Sequence, residues 1–486
     1  MRMNLLCAGV AIAFTVASGV ASASTFHVAP TGADTAAGTE AAPWQTIQHA
    51  ANAVTAGDTV VIHAGTYAGF FVGARGTATA PIRFVGDGEA RITGDATKDG
   101  DAVHVEGGAW ILIEGLHVSG ATRAGISAAS CTHITVRGND VDANGRWGVF
   151  SSACDDLLVE YNEISHAGTE HGVYASSGDR PVIRRNKIWG NGICGVQLNG
   201  DLSAGGDGVI TGAVVEDNVI RDNGLRGGSA INGDGLAGAL IRNNLLDDNH
   251  AAGISLYRMD GGGPSTGNRV INNTVRMATD ARWAVSLQDG SSGNVLGNNV
   301  LLHPNLTRGA IELCATCATG MTSDHNAVVG RFLLGGAPVD LAGWRARTGM
   351  DAASFVATDD ELFTNPAAGD LSLRAGSPAI DRGVPDDAPT YDANGVLRPQ
   401  GAGIDIGALE RCPGRCTGDA SGGDGGGHGH GSDDGGDGGD HHGGDPVHKA
   451  AGGCSTTTTS TAPWLVLALV ALRRRLCKGR GQAKRG

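Results

Sequence analysis

The sequence predicts an all-β protein, a right-handed parallel β-helix (solenoid) with a short N-terminal capping helix. Three observations predict this fold: a repeat of about two dozen residues, a biased composition, and two cysteines that occupy the same place in successive repeats. Glycine accounts for 80 of the 486 residues and aromatic residues for only 4%. Such a composition favours short strands joined by tight turns over helices.

The repeat consists of a small residue followed by a β-branched one. Its first spacings are 23 and 24 residues, and glycine-rich insertions at 201–212 and 260–267 lengthen later ones. The dipeptides are Gly125-Ile126, Gly148-Val149, Gly172-Val173, Gly195-Val196, Ala230-Ile231, Gly253-Ile254, Ala284-Val285 and Ala310-Ile311. Strands this short cannot bury an apolar face alone, so each repeat must form one rung that stacks about 4.8 Å from the next.

Asparagines recur in step with these dipeptides. The main track is Asn139, Asn162, Asn186, Asn218, Asn244, Asn273, Asn299 and Asn326, and a weaker second set is Asn144, Asn191, Asn223 and Asn249. Asparagine tolerates the left-handed backbone region that tight turns require, and stacked amides can hydrogen-bond along a ladder. We therefore interpret the track as structural, with three short strands per rung.

Cys131 and Cys154 support the stacking independently. Each lies six residues after the glycine of its rung, so stacking places their Cα atoms about 5 Å apart, within the range for a disulfide. Two further pairs are candidates for local bridges or, together, for a zinc site: Cys314 with Cys317 and Cys412 with Cys416.

The N-terminal part of the chain contains an export signal and a cap. Residues 1–23 combine Arg2, an apolar stretch and Ala21-Ser22-Ala23, which predicts a secretory signal peptide and an oxidising destination. The segment "PWQTIQHAANAV" at 43–54 has apolar residues at helical spacing. It predicts a helix that covers the open end of a solenoid spanning 24–326.

The chain after the solenoid predicts an end module and a tether. Residues 327–411 contain "GSPAIDRG" and "YDANGVLRPQGAGIDIGALE", which resemble a C-terminal module of bacterial surface β-helix proteins. Residues 412–453 are rich in Gly, Asp and His, a composition that predicts a disordered linker.

The last segment, 454–486, predicts attachment to a membrane or cell surface. It begins within "GCSTTTTSTAPWLVLALVALRRR", which resembles a myxobacterial-type C-terminal sorting signal. That resemblance implies processing and lipid attachment at Cys454, whereas a plain tail anchor is the alternative. Either interpretation predicts an exported protein held at the cell surface or outer membrane.

Outward-facing residues of the strands after each dipeptide predict a polar groove. Alternate residues of a strand share a face, which gives one column of Phe150, Tyr174, Gln197, Asn232, Ser255, Ser286 and Glu312 and another of Ser152, Ser176, Asn199, Asp234, Tyr257 and Gln288. From these columns and the adjacent chain we select as candidate substrate-binding residues Gln197, Asn199, Asn232, Asp234, Tyr257, Arg258 and Gln288.

The repeat count, the Gly-Val and Asn signatures and "DTVVIHAGTY" make residues 24–326 similar to the pectate-lyase-like β-helix superfamily. That superfamily includes polysaccharide lyases, uronate epimerases, hydrolases and noncatalytic adhesins. The resemblance implies an extended polysaccharide along the groove of a monomer. The formal net charge of −14 argues against nucleic acid as a partner, and an acidic polysaccharide would need a local basic patch or bridging cations.

His171 and Tyr174 are the candidate catalytic residues. β-Elimination of a uronic acid requires neutralisation of the carboxylate, removal of the C5 proton and protonation of the leaving oxygen, and a His/Tyr pair supplies such proton transfers. This pair resembles those of some lyases and mannuronan epimerases, although the epimerase's Asp-Pro-His motif is absent. The structural alternative is that His171 only continues the column of Trp147 and Cys194.

Other chemistries are less well supported by the sequence. The alternative lyase base is a Lys or Arg beside Ca²⁺. The lysines before residue 412 are Lys98 and Lys187, and no convincing carboxylate cluster for calcium surrounds Lys187. A hydrolase needs two carboxyl groups on one face. The adjacent pairs Asp155-Asp156 and Asp247-Asp248 point to opposite sides if extended, and Asp234 and Glu312 lie about three rungs apart, which is too far. We therefore expect a secreted, surface-anchored protein that binds acidic polysaccharide and cleaves it by β-elimination. A noncatalytic adhesin or structural stalk is the alternative.

Overall fold

The computed structural model describes residues 23–96, 99–386, 388–412, 414 and 416. The predictions for the signal peptide, for the linker after residue 416 and for the anchor with Cys454 fall on residues outside this set and stay predictions. Within the described residues, no helix has both the length and the apolar character to span a membrane.

The described chain is a right-handed parallel β-helix of about 11 rungs, which confirms the predicted fold class. One sheet, called here the groove sheet, contains twelve strands, of which the last two are antiparallel. Its strands are Phe70–Val72, Val103–Glu106, Ala124–Ala129, Trp147–Ser152, Val173–Ser176, Val196–Asn199, Ser229–Asp234, Ala252–Tyr257, Val285–Leu287, Ile311–Leu313, Phe332–Leu334 and Ala337–Val339.

Two further columns of parallel strands complete each rung and share a 22-stranded sheet. The second column contains Thr25–Val28, Thr59–Ala68, Ile82–Thr93, Ala109–Glu114, Thr132–Arg137, Leu158–Glu160, Val182–Arg184, Val214–Glu216, Leu240–Arg242, Arg269–Ile271, Val295–Gly297 and Thr322–Asp324. The third contains His117–Ser119, Asp140–Asp142, Glu163–Ser165, Lys187–Trp189, Val219–Arg221, Leu245–Asn249, Thr274–Met277, Val300–Leu302, Ala327–Val328 and Phe355–Val356.

Few other elements accompany these columns. Two small sheets pair Ile210–Thr211 with Leu236–Ala237 and Phe363–Asn365 with Asp370–Leu373. The helices are Ile47–Ala53, Leu341–Thr348 and Asp359–Leu362, with 3₁₀ turns at Leu202–Ala204 and Pro366–Ala368.

The strand register confirms the predicted repeat. The β-branched residues of the eight dipeptides pair in one unbroken series from Ile126 to Ile311. Their side chains are at most 1% exposed. The interior of the solenoid is therefore a stack of aliphatic side chains, one layer for each rung.

The asparagine track forms the predicted ladder inside the solenoid. Asn218, for example, donates from its backbone N and from Nδ2 to Oδ1 of Asn244 at 3.2 and 3.0 Å, and from Nδ2 to the carbonyl of Ile183 at 2.9 Å. The same pattern links neighbouring rungs from Asn139 to Asn326. Each amide thus satisfies buried backbone groups at the bend of its rung.

The backbone role that we assigned to these asparagines needs correction. The left-handed conformation belongs to the residue before each track asparagine, with φ between 52° and 61° at Gly138, Tyr161, Arg185, Asp217, Asn243, Asn272, Asn298 and His325. This residue turns the chain between the second and third columns, and the track asparagine that follows directs its amide inward. Asparagine is therefore required at the track for its hydrogen bonds and not for its tolerance of positive φ.

The cysteine predictions are confirmed. Cys131 and Cys154 form a disulfide between adjacent rungs with a Cα–Cα distance of 4.5 Å. Local disulfides join Cys314 to Cys317 and Cys412 to Cys416, so these sulfurs are not available as the zinc ligands that we considered.

Both ends of the described solenoid are covered. The helix Ile47–Ala53 begins after Thr46, whose hydroxyl accepts the backbone N–H of His49, and it buries Ile47 against the first rungs, as predicted. At the other end, Trp344 of the second helix stacks on Phe332 of the groove sheet with ring centroids 4.8 Å apart.

Part of the predicted end module lies along the side of the solenoid. Three stacked asparagines with positive φ bind the backbone of this segment: Asn243 binds the carbonyl of Tyr391, Asn272 those of Asp405 and Gly407, and Asn298 that of Val384. Within the segment, Arg398 and Glu410 form a fully buried ion pair at 2.9 Å. The segment therefore covers the bends of inner rungs as well as contributing to the end of the domain.

We expect Asn244→Ala to lower the free energy of unfolding by about 3 kcal/mol or more, because it leaves buried donors and acceptors of two rungs unsatisfied at about 1–3 kcal/mol each. Urea unfolding followed by circular dichroism measures this change. The exposed helical Asn52→Ala is the control and should cost less than about 1 kcal/mol. Equal effects of the two substitutions would contradict a stabilising role for the ladder.

Candidate functional site

The groove sheet brings the two predicted outward columns into register. Tyr174 pairs with Gln197, Gln197 with Asn232, and Asn232 with Ser255, and the neighbouring column pairs Ser176, Asn199, Asp234 and Tyr257 in the same order. Several of these side chains are less exposed than we expected, with Gln197 at 6% and Asn232 at 7%. The reason is that they contact one another: Asn232 Nδ2 donates to Gln197 Oε1 and to the Tyr257 hydroxyl.

Two insertions join to form one wall of the groove. The backbone N of Leu202 donates to the carbonyl of Asp260, and the N of Gly262 donates to the carbonyl of Gly208. The carboxylate of Asp234 accepts three backbone N–H groups from residues 259–261 at 2.8, 2.8 and 3.1 Å. The carboxylate of Asp234 therefore positions this wall, and its predicted contact with substrate stays a prediction.

The first cavity on the groove has a volume of about 310 Å³. It brings together most of the predicted site residues, namely His171, Tyr174, Gln197, Asn199, Asn232 and Tyr257. Sequence reasoning missed other residues of its lining: Arg146, Glu170, Cys194 and Asp260. The lining combines amides, hydroxyls, an imidazole and ionic groups within one concave surface.

His171 is held as a neutral hydrogen-bond donor. Its Nδ1 accepts the backbone N–H of Cys194 at 3.2 Å, so the proton of the neutral ring resides on Nε2. Burial lowers the pKa of His171 to about 4. In this arrangement Nε2–H is the free donor of the ring and Nδ1 is occupied, and the catalytic role of His171 stays a prediction.

Tyr174 and Tyr257 are held as protonated phenols. Asn199 Nδ2 donates to the Tyr174 hydroxyl at 3.1 Å, and Asn232 Nδ2 donates to the Tyr257 hydroxyl at 2.7 Å. Burial raises the pKa of Tyr174 and raises the pKa of Tyr257 to about 12. Each phenol thus retains an O–H that can donate to a group in the groove.

An aromatic floor precedes the first cavity. Trp147 stacks on Phe150 with ring centroids 4.3 Å apart, and Tyr174 lies 5.4 Å from Phe150. The His171 ring meets Tyr174 edge-on at 5.2 Å. Glu170 accepts from Arg146 Nε and Trp147 Nε1, both at 2.8 Å. Aromatic faces beside hydrogen-bonding groups suit the apolar faces and hydroxyls of a sugar chain.

The second cavity, of about 510 Å³, continues the groove through the shared residues Asn232 and Tyr257. It includes the predicted Gln288, whereas the predicted Arg258 is exposed and lines neither cavity. Its unpredicted lining residues include Met259, Arg282, Trp283, Asp289 and Arg308. Arg282 and Arg308 each lie two residues before a repeat dipeptide. This shared position is the sequence signal that could have identified them as residues at the edge of the groove.

Lys187 and the adjacent carboxylate pairs lie away from the groove, whereas Asp234 belongs to a groove strand and Glu312 lines the second cavity. Lys187 belongs to the third column and pairs with Glu163 at 2.8 Å, while Lys98 is outside the described residues. Among the carboxylates weighed for a hydrolase, Asp156 pairs with Arg180 and Asp247 with Arg276. In the described part of the chain, no three His, Cys, Asp or Glu side chains are grouped to hold a metal ion.

Comparisons with known proteins agree with this architecture. Residues 101–275 match the family model described as a right-handed beta helix region, and residues 26–167 match that of the Pel9A-like right-handed beta helix region. The described chain is thus a parallel β-helix with a pectate-lyase-like fold.

Two solved structures show the same fold. Pectate lyase Pel9A is 17% identical, with 81% of this chain and 98% of that chain covered and a TM-score of 0.57. A complex of XylC with xylose is 12% identical, with coverages of 80% and 99% and a TM-score of 0.50. No curated protein matches the sequence.

We expect His171 to make folding stability depend on pH. Its lowered pKa means that the unfolded chain binds a proton that the folded protein does not, so this contribution is complete above about pH 6.5 and is lost as pH falls towards 4. Relative to His171→Asn, the wild type should lose about 2–3 kcal/mol between pH 7 and pH 4. Urea unfolding at both pH values measures the difference, and parallel losses in the two proteins would contradict a buried neutral imidazole.

Proposed function

We propose that this protein binds an extended acidic polysaccharide along the groove. The observation that carries the proposal is the continuity of the two cavities, which share Asn232 and Tyr257 and follow parallel strands across successive rungs. A straight succession of equivalent positions fits a polymer of repeated units better than a small ligand. The guanidinium groups of Arg282 and Arg308, which line the second cavity, favour acidic units.

The side chains that we expect to contact sugar are the amides and phenols of the groove. Asn232 Nδ2 binds both Gln197 Oε1 at 2.5 Å and the Tyr257 hydroxyl at 2.7 Å. This network fixes the orientation of three polar side chains before a ligand arrives. Preorganised donors lose little side-chain entropy on binding, which raises affinity.

We expect Tyr257→Phe to weaken binding of polyuronate oligosaccharides about tenfold. This change in affinity corresponds to the loss of one hydrogen bond at the upper end of its usual free-energy contribution. Isothermal titration calorimetry measures the affinity. Tyr161→Phe, on an exposed tyrosine at a bend outside the groove, is the matched control and should bind as the wild type does. If neither the wild type nor the control binds any acidic or neutral polysaccharide, the proposed function is wrong.

A second proposed function is cleavage of the bound chain by β-elimination. The observation that favours it is that Tyr174 and His171, with ring centroids 5.2 Å apart, line the same cavity. In this proposal Tyr174 protonates the leaving oxygen, and His171 donates to the sugar carboxylate. Both oxygens of Glu170 already accept hydrogen bonds, so removal of the C5 proton is assigned to the carboxylate of Asp260, on the wall of the same cavity.

Ultraviolet absorbance of unsaturated products, over polyuronates and glycosaminoglycans with and without Ca²⁺, tests cleavage. Tyr174→Phe and Asp260→Asn should each lower turnover by about 10² or more, while calorimetry shows that binding is retained. Asp222→Asn, at a bend of the third column, is the control for Asp260 and should leave turnover unchanged. Binding without unsaturated product from any substrate would identify a noncatalytic adhesin or stalk.

A further inference from the structure

Three arginines lie on consecutive rungs at the edge where the groove strands begin. They are Arg282, Arg308 and Arg331. Their rungs stack directly on one another, because Ala284 N donates to the carbonyl of Gly309 and Ala310 N donates to that of Arg331. We call them the arginine cluster. Among the described residues, none of the three forms an ion pair with a carboxylate, whereas Arg123, Arg146 and Arg276 each pair with an acidic side chain.

Arg331 holds the loop that presents Arg308. Its Nε donates to the carbonyl of Arg308 at 2.6 Å, and one terminal nitrogen donates to the carbonyls of His303 and Asn305 at 2.9 and 2.5 Å. Arg331 is thus a positioning residue whose guanidinium binds only backbone carbonyls in the described structure.

Arg282 and Arg308 are the members of the cluster that face a ligand space. Both line the second cavity. One terminal nitrogen of Arg282 donates to the carbonyl of Gly228 at 2.6 Å, which fixes its guanidinium at the edge of the groove. The side chain of Arg308 is exposed and makes no hydrogen bond within the described chain, so its donors are available to a ligand.

The cluster leaves positive charge uncompensated. Guanidinium groups on rungs about 4.8 Å apart repel one another unless an anion lies between them. Burial lowers the pKa of the neighbouring His303, and the positive charges of Arg331 and Arg308 lower it further. Two carboxylates also line the second cavity without forming an ion pair with Arg282 or Arg308: Glu312 accepts from Ser286 at 2.8 Å, and Asp289 is on the adjoining turn.

We propose that Arg282 and Arg308, held by Arg331, form a subsite for the anionic group of the bound polysaccharide, a carboxylate or a sulfate ester. This inference rests on the proposed binding function and adds its substrate class and the position of the acidic unit. Guanidinium groups bind both oxyanions through paired N–H donors. Glu312 and Asp289 then serve as acceptors for sugar hydroxyls in the same cavity.

The test compares Arg282→Gln and Arg308→Gln with the control Arg221→Gln, on an exposed arginine of the third column, in the full-length protein. The probes for calorimetry are oligogalacturonate, its carboxyl-reduced counterpart and dextran sulfate. Each groove substitution should weaken binding of at least one charged probe tenfold or more and change binding of the carboxyl-reduced probe less than twofold. The charged probe that is affected identifies the carboxylate or the sulfate ester.

Other outcomes overturn the subsite. If the groove substitutions weaken the charged and reduced probes equally, or weaken neither, the cluster does not bind the anionic group although polysaccharide binding stands. If the wild type binds no polymer, the proposed function is wrong. Modification of arginines by phenylglyoxal then tests separately whether the arginine cluster binds an anion. Inorganic sulfate should protect Arg282 and Arg308, and not Arg221, from modification, and absence of protection would overturn the anion site as well.

Discussion

The stacking of asparagine amides from rung to rung is the interaction on which the other features of this β-helix depend. Each amide of the track binds the next amide and the backbone of neighbouring rungs, so no rung can slip by one residue without breaking buried hydrogen bonds. A slip of one residue would also exchange the inner and outer faces of every strand. The ladder therefore fixes which side chains reach the groove, although it lies inside the solenoid.

The ladder fixes the strand register, and loops whose length differs from rung to rung form the walls of the groove. The insertions at 201–212 and 260–267 leave the ladder intact, since Asn186 still binds Asn218 across the longer rung. Their added length instead forms a wall, which the carboxylate of Asp234 holds through three backbone N–H groups. A rigid scaffold with variable loops is a common way to place recognition groups.

Burial decides the chemistry of this groove more than residue type does. His171 and Tyr174 are the residues that a proton-transfer mechanism would select, yet burial and the Cys194 N–H make His171 a neutral donor. The arginines of the groove also differ in their partners. Arg146 is paired with Glu170, whereas Arg282 and Arg308 have no carboxylate partner among the described residues. The chemical character of the site thus differs between its two cavities.

The repeat made much of the fold predictable from sequence. The dipeptides predicted the register, and the equal offsets of Cys131 and Cys154 predicted a disulfide that the structure contains. The side-chain columns of the groove followed from the alternation of strand residues. In contrast, the left-handed residue at each bend was assigned one position too late, because positive φ at Tyr161 or Arg185 has no signature in residue type.

The sequence by itself determined the period, the stacked columns and the residues that share a face, because these depend on local spacing that repeats along the chain. Only the tertiary structure decided which polar groups are buried, which donors already have partners, and that Arg258 stands outside the cavities while Arg282 and Arg308 line one. Those properties depend on contacts between distant loops and on the water that they exclude. No local pattern encodes such contacts, so the chemistry of the groove emerges only when the rungs and loops are assembled.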